Sequence, residues 1–478
     1  MFDVSREEIT KGPLSKTLVL LATPLVLQNM VQVVQQIVDT FWVGRLSEEA
    51  VAAVGLNFPI TSLLFALMFA PAVGTQVLVS QRYGAKDEAG ARRIAFHGFV
   101  LGLALGSLVG AVAFYFAAPF LGLFNPGDEV LPLAAIYLAT FAIGLPIMAM
   151  SDVLEFGFIG WGDTRAALYI NVVAVLVNIV LDPFLIFGWG PFPAMGIQGA
   201  AAATVIGYTC GFLLALGMAL GLRSTFTLTR ESVSIRLSEF YEVLDIGAPI
   251  AIQNLGRDLV RVVIVGIVAT VGGAAALAAY TIGARVASVA YIPASGFQQA
   301  AQSVVGQNLG ADQPDRARRT TWITVAITGT GLTIIGIVQI LVPESLTRLF
   351  VPDISAAALT LTVDYLIILA VGYWAIGAMY AFTAGFNGAG KTRISMVANL
   401  TKYWGVRLPL AAGGAFLFSM GLYGPFWADA PSVYGPFWAV TISNVIAAVG
   451  LGAYYYYTTS NGLFERAAKE VREATPGD

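Results

Sequence analysis

The chain has 478 residues, of which 57% are hydrophobic and only 12% charged, with a mean hydropathy of +0.76 and a formal net charge of -3. A soluble protein of this size carries about a quarter charged residues, so that class is excluded, and without a phosphate-tracking basic patch so is a nucleic-acid binder. Cys210 is the lone cysteine and His97 the lone histidine, which rules out internal disulfides and starves thiolate metal sites and histidine catalysis of ligands.

The N-terminus, Met1 to Ser15, lacks the apolar core of a cleaved secretory signal, so the first span is expected to be retained. An apolar stretch of about 20 residues crosses roughly 30 Å of hydrocarbon as a helix. Such stretches, punctuated by Gly, Pro and charge, predict spans near 17–44, 48–81, 95–122, 131–160, 166–188, 197–221, 239–271, 274–306, 320–343, 357–387, 395–420 and 434–458. Several exceed what a bilayer needs, so tilt is expected. Lys and Arg resist translocation and therefore report orientation. Nineteen of the 26 basic residues, from Arg6 and Lys11 through Arg316 to Arg472, fall in one set of connections, whereas the opposite set holds Arg45 and Arg348. The remaining five, Arg257, Arg261, Arg285, Lys402 and Arg407, lie inside spans. Both termini are therefore expected in the cytoplasm of a multi-pass plasma-membrane protein.

The spans repeat. ATPLVLQNM from Ala22 returns as GAPIAIQNL from Gly247, VSQRYGAKDEAGARR from Val79 as VGQNLGADQPDRARR from Val305, and GFIGWGDTR from Gly157 as GFNGAGKTR from Gly385. The order is kept and the offset stays between 225 and 228 residues. The expected fold is thus all-α and integral to the membrane: twelve transmembrane helices in two parallel, pseudo-symmetric six-helix lobes, residues 1–221 and 239–478, with a cytoplasmic linker at 222–238 and a short cytoplasmic tail. Six spans per half keep the halves in one orientation, and rocking them exposes the cavity between them to each side in turn.

Polar residues present in one half only are the better candidates for chemistry. Asp39 aligns with Ile264, Asn178 with Val406 and Asp182 with Leu410. An ionisable group at that depth is costly unless paired, hydrated or neutralised. Gln28, Gln32, Gln35 and Asp39 fall on one helical stripe, and Asn171, Asn178 and Asp182 on another. With Thr204 and the backbone around Ala200 they offer hard oxygen ligands for Na⁺, or a site for a shared proton. The alternative is that Asp39 and Asp182 only cap helix breaks near the outer surface. Pro24 removes a helical hydrogen bond and marks either a hinge or a static kink.

In the second half, Asp258 can pair with Arg261 or Arg257, as a structural pair or as part of a second site. Lys402 and Arg407 are expected to snorkel or to ligate facing carbonyls. Asp152, Glu155 and Asp364 are intramembrane acids with no partner evident along the chain. YGPFWA at Tyr423–Ala428 returns at Tyr434–Ala439 in the last outer loop, its tryptophans suited to the interface.

Taken together, the opening ATPLVLQNM, VDTFWVGRLSEEAVAAVG from Val38, SQRYGAKDEAGARR from Ser80, GFIGWGDTR, NIVLDPFLIFGWGPFPAMGIQGAAAAT from Asn178, GQNLGA from Gly306 and YWGVRLPLA from Tyr403 resemble the multidrug and toxic compound extrusion transporters, over nearly the whole chain. The likeness is to the archaeal and damage-inducible-type branch. It implies a V-shaped pair of lobes, with Asp39, Asn178, Asp182 and Thr204 as the cation-binding group and Pro24 as the bending point of the first helix. The other large branch has its acidic site in the C-terminal lobe; Asp258 lies near the matching place, but GRDLVR departs from that pattern.

The expected function is antiport: H⁺ or Na⁺ moves inward as amphipathic, often cationic, organic compounds move outward. The partners are then small organic substrates and the bilayer, with no cofactor beyond the coupling ion, and the chain acts as a monomer. A lipid-linked precursor flippase is the alternative, and it would need a cluster of cations in the cavity. A facilitative channel is a third reading, and no nucleophile, metal cluster or phosphate loop marks an enzyme.

Overall fold

The computed structural model describes residues 4–419 and 433–474, and among these there is no strand. A short helix, α1 (Arg6–Lys11), begins at a capping box in which Ser5 and Glu8 satisfy each other's backbone N–H. There follow α2 (Leu14–Val43), α3 (Glu48–Gly84), α4 (Glu88–Gly122), α5 (Val130–Trp161), α6 (Thr164–Phe187) and α7 (Ile197–Gly217). A π turn at Met218–Leu222 and a 3-10 turn at Arg230–Ser232 lead to α8 (Leu237–Gly310), α9 (Pro314–Leu341), α10 (Pro343–Phe350), α11 (Ala356–Val371) and α12 (Tyr373–Gly388). The last set is α13 (Thr392–Leu400), a π segment at Thr401–Arg407, α14 (Leu408–Ser419), α15 (Tyr434–Ser460) and α16 (Leu463–Ala474).

Nine of these helices are long and apolar enough to cross a membrane, and α11 with α12 forms a further span bent by 46°. The helix α8 is one continuous element of 74 residues only by hydrogen bonding; Gly273, at φ 62° and ψ -158°, breaks it into two crossings. With the π-interrupted path α13–α14, twelve crossings result, at the places hydropathy predicts. Gly273 occupies the position where the first repeat has its separate α2–α3 connection.

The repeat is visible in the backbone. Gly162 and Gly390, which correspond in the two halves, both take left-handed φ, +97° and +72°, at tight turns between spans. Lys86 and Asp312, the next such pair, are also left-handed, at φ 66° and 57°. These turns explain the repeated motifs: Asp87 and Asp163 each accept a backbone N–H of the helix they open, from Gly90 at 2.7 Å and Ala166 at 3.2 Å.

Apolar side chains form clusters within each half, and one cluster joins them, bringing Leu18, Leu25, Val73 and Val77 against Ile250, Ala300, Val304 and Ala384. Around it the junction has pseudo-two-fold symmetry. Gln81 donates to the Gly388 carbonyl at 2.9 Å, and its counterpart Gln307 donates to the Gly160 carbonyl at 2.9 Å. Gly84 and Gly310, also counterparts, each lie so close to the backbone of the opposite half that a Cβ would collide with a carbonyl oxygen. The first and last described helices, α1 and α16, lie at this end, because Arg316 donates to the Ile9 carbonyl at 3.1 Å and Arg472 pairs with Asp312 at 3.1 Å. His97 is tied there too: Nε2 accepts from the Arg236 N–H at 2.9 Å while Nδ1 faces the Arg93 carbonyl at 2.8 Å. The lobes are thus closed on each other at the end bearing α1 and α16.

Candidate functional site

The helix α2 runs unbroken through Pro24, so the stripe of amides it carries stays in register down to Asp39. It packs along α6, which supplies the second stripe. At the level of Gln28 the two helices meet Glu155 of α5. Gln28 Nε2 donates to Glu155 Oε1 at 2.6 Å, Asn171 Nδ2 donates to Oε2 at 2.5 Å, and Gln32 Nε2 donates to Asn171 Oδ1 at 2.9 Å. Glu155 is buried, and amide donors satisfy both of its oxygens. Sequence reading left this residue without a partner, because its partners come from other helices.

Further along, Asn178 lies between the stripes. In the amide orientation that satisfies both ends, its nitrogen is 3.0 Å from Asp39 Oδ1 and 2.9 Å from the Gln35 amide, while its oxygen accepts from the Thr204 N–H at 3.2 Å. Thr204 Oγ1 donates to the Ala200 carbonyl at 3.1 Å. The Asp39 and Asp182 carboxylates are neighbours across α2 and α6, close enough to interact. Asp182 is 1% exposed, and neither of its oxygens receives a hydrogen bond from the described residues. Two neighbouring carboxylates in a low-dielectric interior cannot both stay charged unless a proton or a cation lies between them. The structure therefore brings together Asp39, Asn178, Asp182, Thr204, Ala200 and Gln35, and places Gln28, Gln32 and Asn171 in a connected layer nearer Pro24.

Between the lobes lies a cavity of about 480 Å³, within the usual range of about 300–1,000 Å³ for small-molecule sites. Its N-lobe wall is aromatic, with Phe58, Phe65, Phe69 and Phe156. Its C-lobe wall carries Arg257, Asp258, Arg261 and Lys402, with Tyr291, Tyr380 and Tyr403 among them. Asp258 is held bidentately by Arg257, at 2.8 and 3.2 Å, and lies 3.6 Å from Arg261.

Of the two expectations for Lys402 and Arg407, snorkelling does not occur, whereas Arg407 does donate to a facing carbonyl, that of Val440, at 3.4 Å. The π segment turns both inward, and they are 6% and 5% exposed. Arg407 donates to Ser443 Oγ at 2.8 Å and Asn444 Oδ1 at 2.7 Å. Lys402 Nζ lies 3.3 Å from Met379 Sδ and 4.3 Å from the centroid of the Tyr403 ring, which Arg407 approaches to 4.6 Å. Asp364 accepts from the Tyr434 hydroxyl. The first YGPFWA copy lies outside the described residues, and the second opens α15, where Phe437 stacks on Tyr365 at 4.2 Å.

Comparison with known proteins agrees with this architecture. Over 475 residues, 98% of both chains, the sequence is 27% identical to a Shewanella oneidensis protein described as an FAD transporter. It is 28% identical, over 88% of this chain and 89% of the other, to a probable multidrug resistance protein NorM of Thermotoga maritima. In fold it is similar to an outward-facing multidrug resistance MATE family transporter of the MOP superfamily, with a TM-score of 0.87, 23% identity, and coverage of 95% of this chain and 98% of that one. The MatE family profile matches residues 24–184 and 249–412, one match in each repeat. The chain belongs to the MatE family of membrane transporters, and is not an enzyme.

Proposed function

We propose that the protein is a secondary active antiporter, in which inward movement of H⁺ or Na⁺ through the N-lobe site drives outward movement of amphipathic organic compounds held between the lobes. The observation that carries this reading is the pair of neighbouring carboxylates, half-buried Asp39 and fully buried Asp182, set away from the cavity and without donors for the Asp182 oxygens. Such a pair is stable with a proton or a small cation between its members and unstable without one, so its occupancy biases the packing of α2 against α6. Asn178, Thr204 and the Ala200 carbonyl supply further neutral oxygens for Na⁺.

The two lobes, residues 1–221 and 239–478, would rock about the junction at the end bearing α1 and α16, and the basic connections there support a cytoplasmic location for it in the plasma membrane. Pro24 of α2 is the proposed bending point, and a monomer suffices because both lobes lie in one chain. The names of the relatives, an FAD transporter and multidrug resistance proteins, support a small organic molecule as cargo.

The test is transport by the Asp39→Asn and Asp182→Asn variants, with membrane insertion checked by size-exclusion profile. Loss of gradient-driven efflux in both is expected. Full activity in both would remove the coupling role.

A further inference from the structure

The sign of the cavity's charge is opposite to what an organic cation requires. Of the four charged side chains lining it, three are cations, and the one acid, Asp258, is already taken bidentately by Arg257 and flanked by Arg261. Lys402 has a thioether and an aromatic face for neighbours and no carboxylate within reach among the described residues. Arg407, directly behind, is held only by neutral oxygens and the Tyr403 ring. Lys402 and Arg407 both stand over the Tyr403 ring, at 4.3 and 4.6 Å from its centroid. The N-lobe acids Asp39 and Asp182 do not line the cavity and do not offset this charge. Across from the basic wall are four phenylalanines, an apolar surface suited to a ring or an acyl chain.

A buried ammonium without a counter-ion is costly, and cation–π contact offsets only part of that cost. A ligand that brings its own negative charge to Lys402 and Arg261 completes the site, whereas a cation would have to displace the Arg257 guanidinium to reach Asp258. We propose that the cavity binds an organic anion, a phosphate-bearing amphiphile whose charged group meets Arg261 and Lys402 and whose apolar body lies on the phenylalanine wall. This deepens the transporter reading above and rests on it, while depending on none of the N-lobe coupling residues. The same chemistry can come from a soluble aromatic phosphate or from a lipid headgroup.

Equilibrium binding separates these cases without any transport step. The purified full-length chain in phosphatidylcholine nanodiscs is titrated with riboflavin, with flavin mononucleotide, which adds one phosphate to the same ring, and with ethidium as an aromatic cation. The phosphate is expected to tighten binding by about tenfold or more, the scale of a charge-assisted hydrogen bond to a desolvated group. Lys402→Gln and Arg261→Gln should each remove most of that preference, read as the ratio of flavin mononucleotide to riboflavin affinity, and a thermal melting curve shows that the variants are folded. Repeating the titration with phosphatidylglycerol in the nanodisc assigns the source. Displacement of the flavin phosphate identifies a lipid headgroup as occupant, and undisturbed binding identifies a soluble phosphate, both in accord with an anion site. Equal affinity for riboflavin and flavin mononucleotide, or tighter binding of ethidium than of either, would overturn it. The anion site is read from the ratio of flavin mononucleotide to riboflavin affinity in the parent chain, and the coupling reading from gradient-driven efflux in Asp39→Asn, so failure of one is distinguishable from failure of the other.

Discussion

Asp182, in the proposed coupling role, would carry a function at the expense of stability. Its carboxylate is buried, neighbours another carboxylate and has no donor, an arrangement that costs several kcal/mol in a membrane interior unless something neutralises it. Replacing it by asparagine removes the repulsion and supplies a donor to Asp39. Asp182→Asn is therefore expected to raise the thermal unfolding midpoint, read by a fluorescence-detected melting curve, while coupled efflux falls about tenfold or more, the scale set by loss of a proton- or cation-carrying group. Glu155 is the opposite case, since both its oxygens are met by amide donors from Gln28 and Asn171. A Glu155→Gln side chain would turn an amide nitrogen towards one of those donors, leaving a buried clash worth about 1–3 kcal/mol. The same melting assay should show a clear loss of stability, and an unchanged midpoint would mean that the two amides repack freely around it.

Among the elements, α2 and the pair α3 and α8 make separate demands. Pro24 withholds one hydrogen bond from an otherwise continuous α2, so Pro24→Ala should strengthen the helix. If bending there belongs to the transport cycle, the variant melts higher and transports more slowly. Normal transport would leave Pro24 a packing residue. Gly84 and Gly310 let α3 and α8 cross with their backbones nearly touching. Gly310→Val should force the lobes apart at the end bearing α1 and α16, at a cost of about 1–3 kcal/mol from overpacking, and expose Ser303 to labelling when it is replaced by cysteine. Protection equal to that of the parent would argue against a tight seal.

The elements also show what can be read without coordinates. Spans were legible because hydropathy reports lipid contact directly, and the repeat because shared turns keep Gly162 with Gly390 and Lys86 with Asp312. The α2 stripe was legible because helical spacing alone aligns Gln28 with Asp39. Glu155 was not, since its partners lie 127 and 16 residues away in the chain and meet only through helix packing. For Lys402 and Arg407 the sequence left snorkelling and ligation of facing carbonyls open, because a π segment shifts the side-chain register that an α-helical reading assumes. The break inside α8 was legible, because Gly272 and Gly273 punctuate the apolar run between the spans expected at 239–271 and 274–306, and the backbone turns at Gly273.

At the scale of the molecule, acids and bases are segregated. The N-lobe holds its carboxylates away from the central cavity, and the C-lobe presents its cations to it. On the proposed reading, this separation would let one lobe carry a coupling ion and the other a cargo, with the shared junction of Gln81, Gln307, Gly84 and Gly310 linking them. The most direct test of that account is efflux from proteoliposomes loaded with a fluorescent organic phosphate, under an imposed Na⁺ gradient alone and an imposed pH gradient alone. The account predicts that at least one gradient drives efflux and that Asp182→Asn abolishes the driven component. Efflux that continues at the same rate with both gradients collapsed, or that survives in Asp182→Asn, would contradict it.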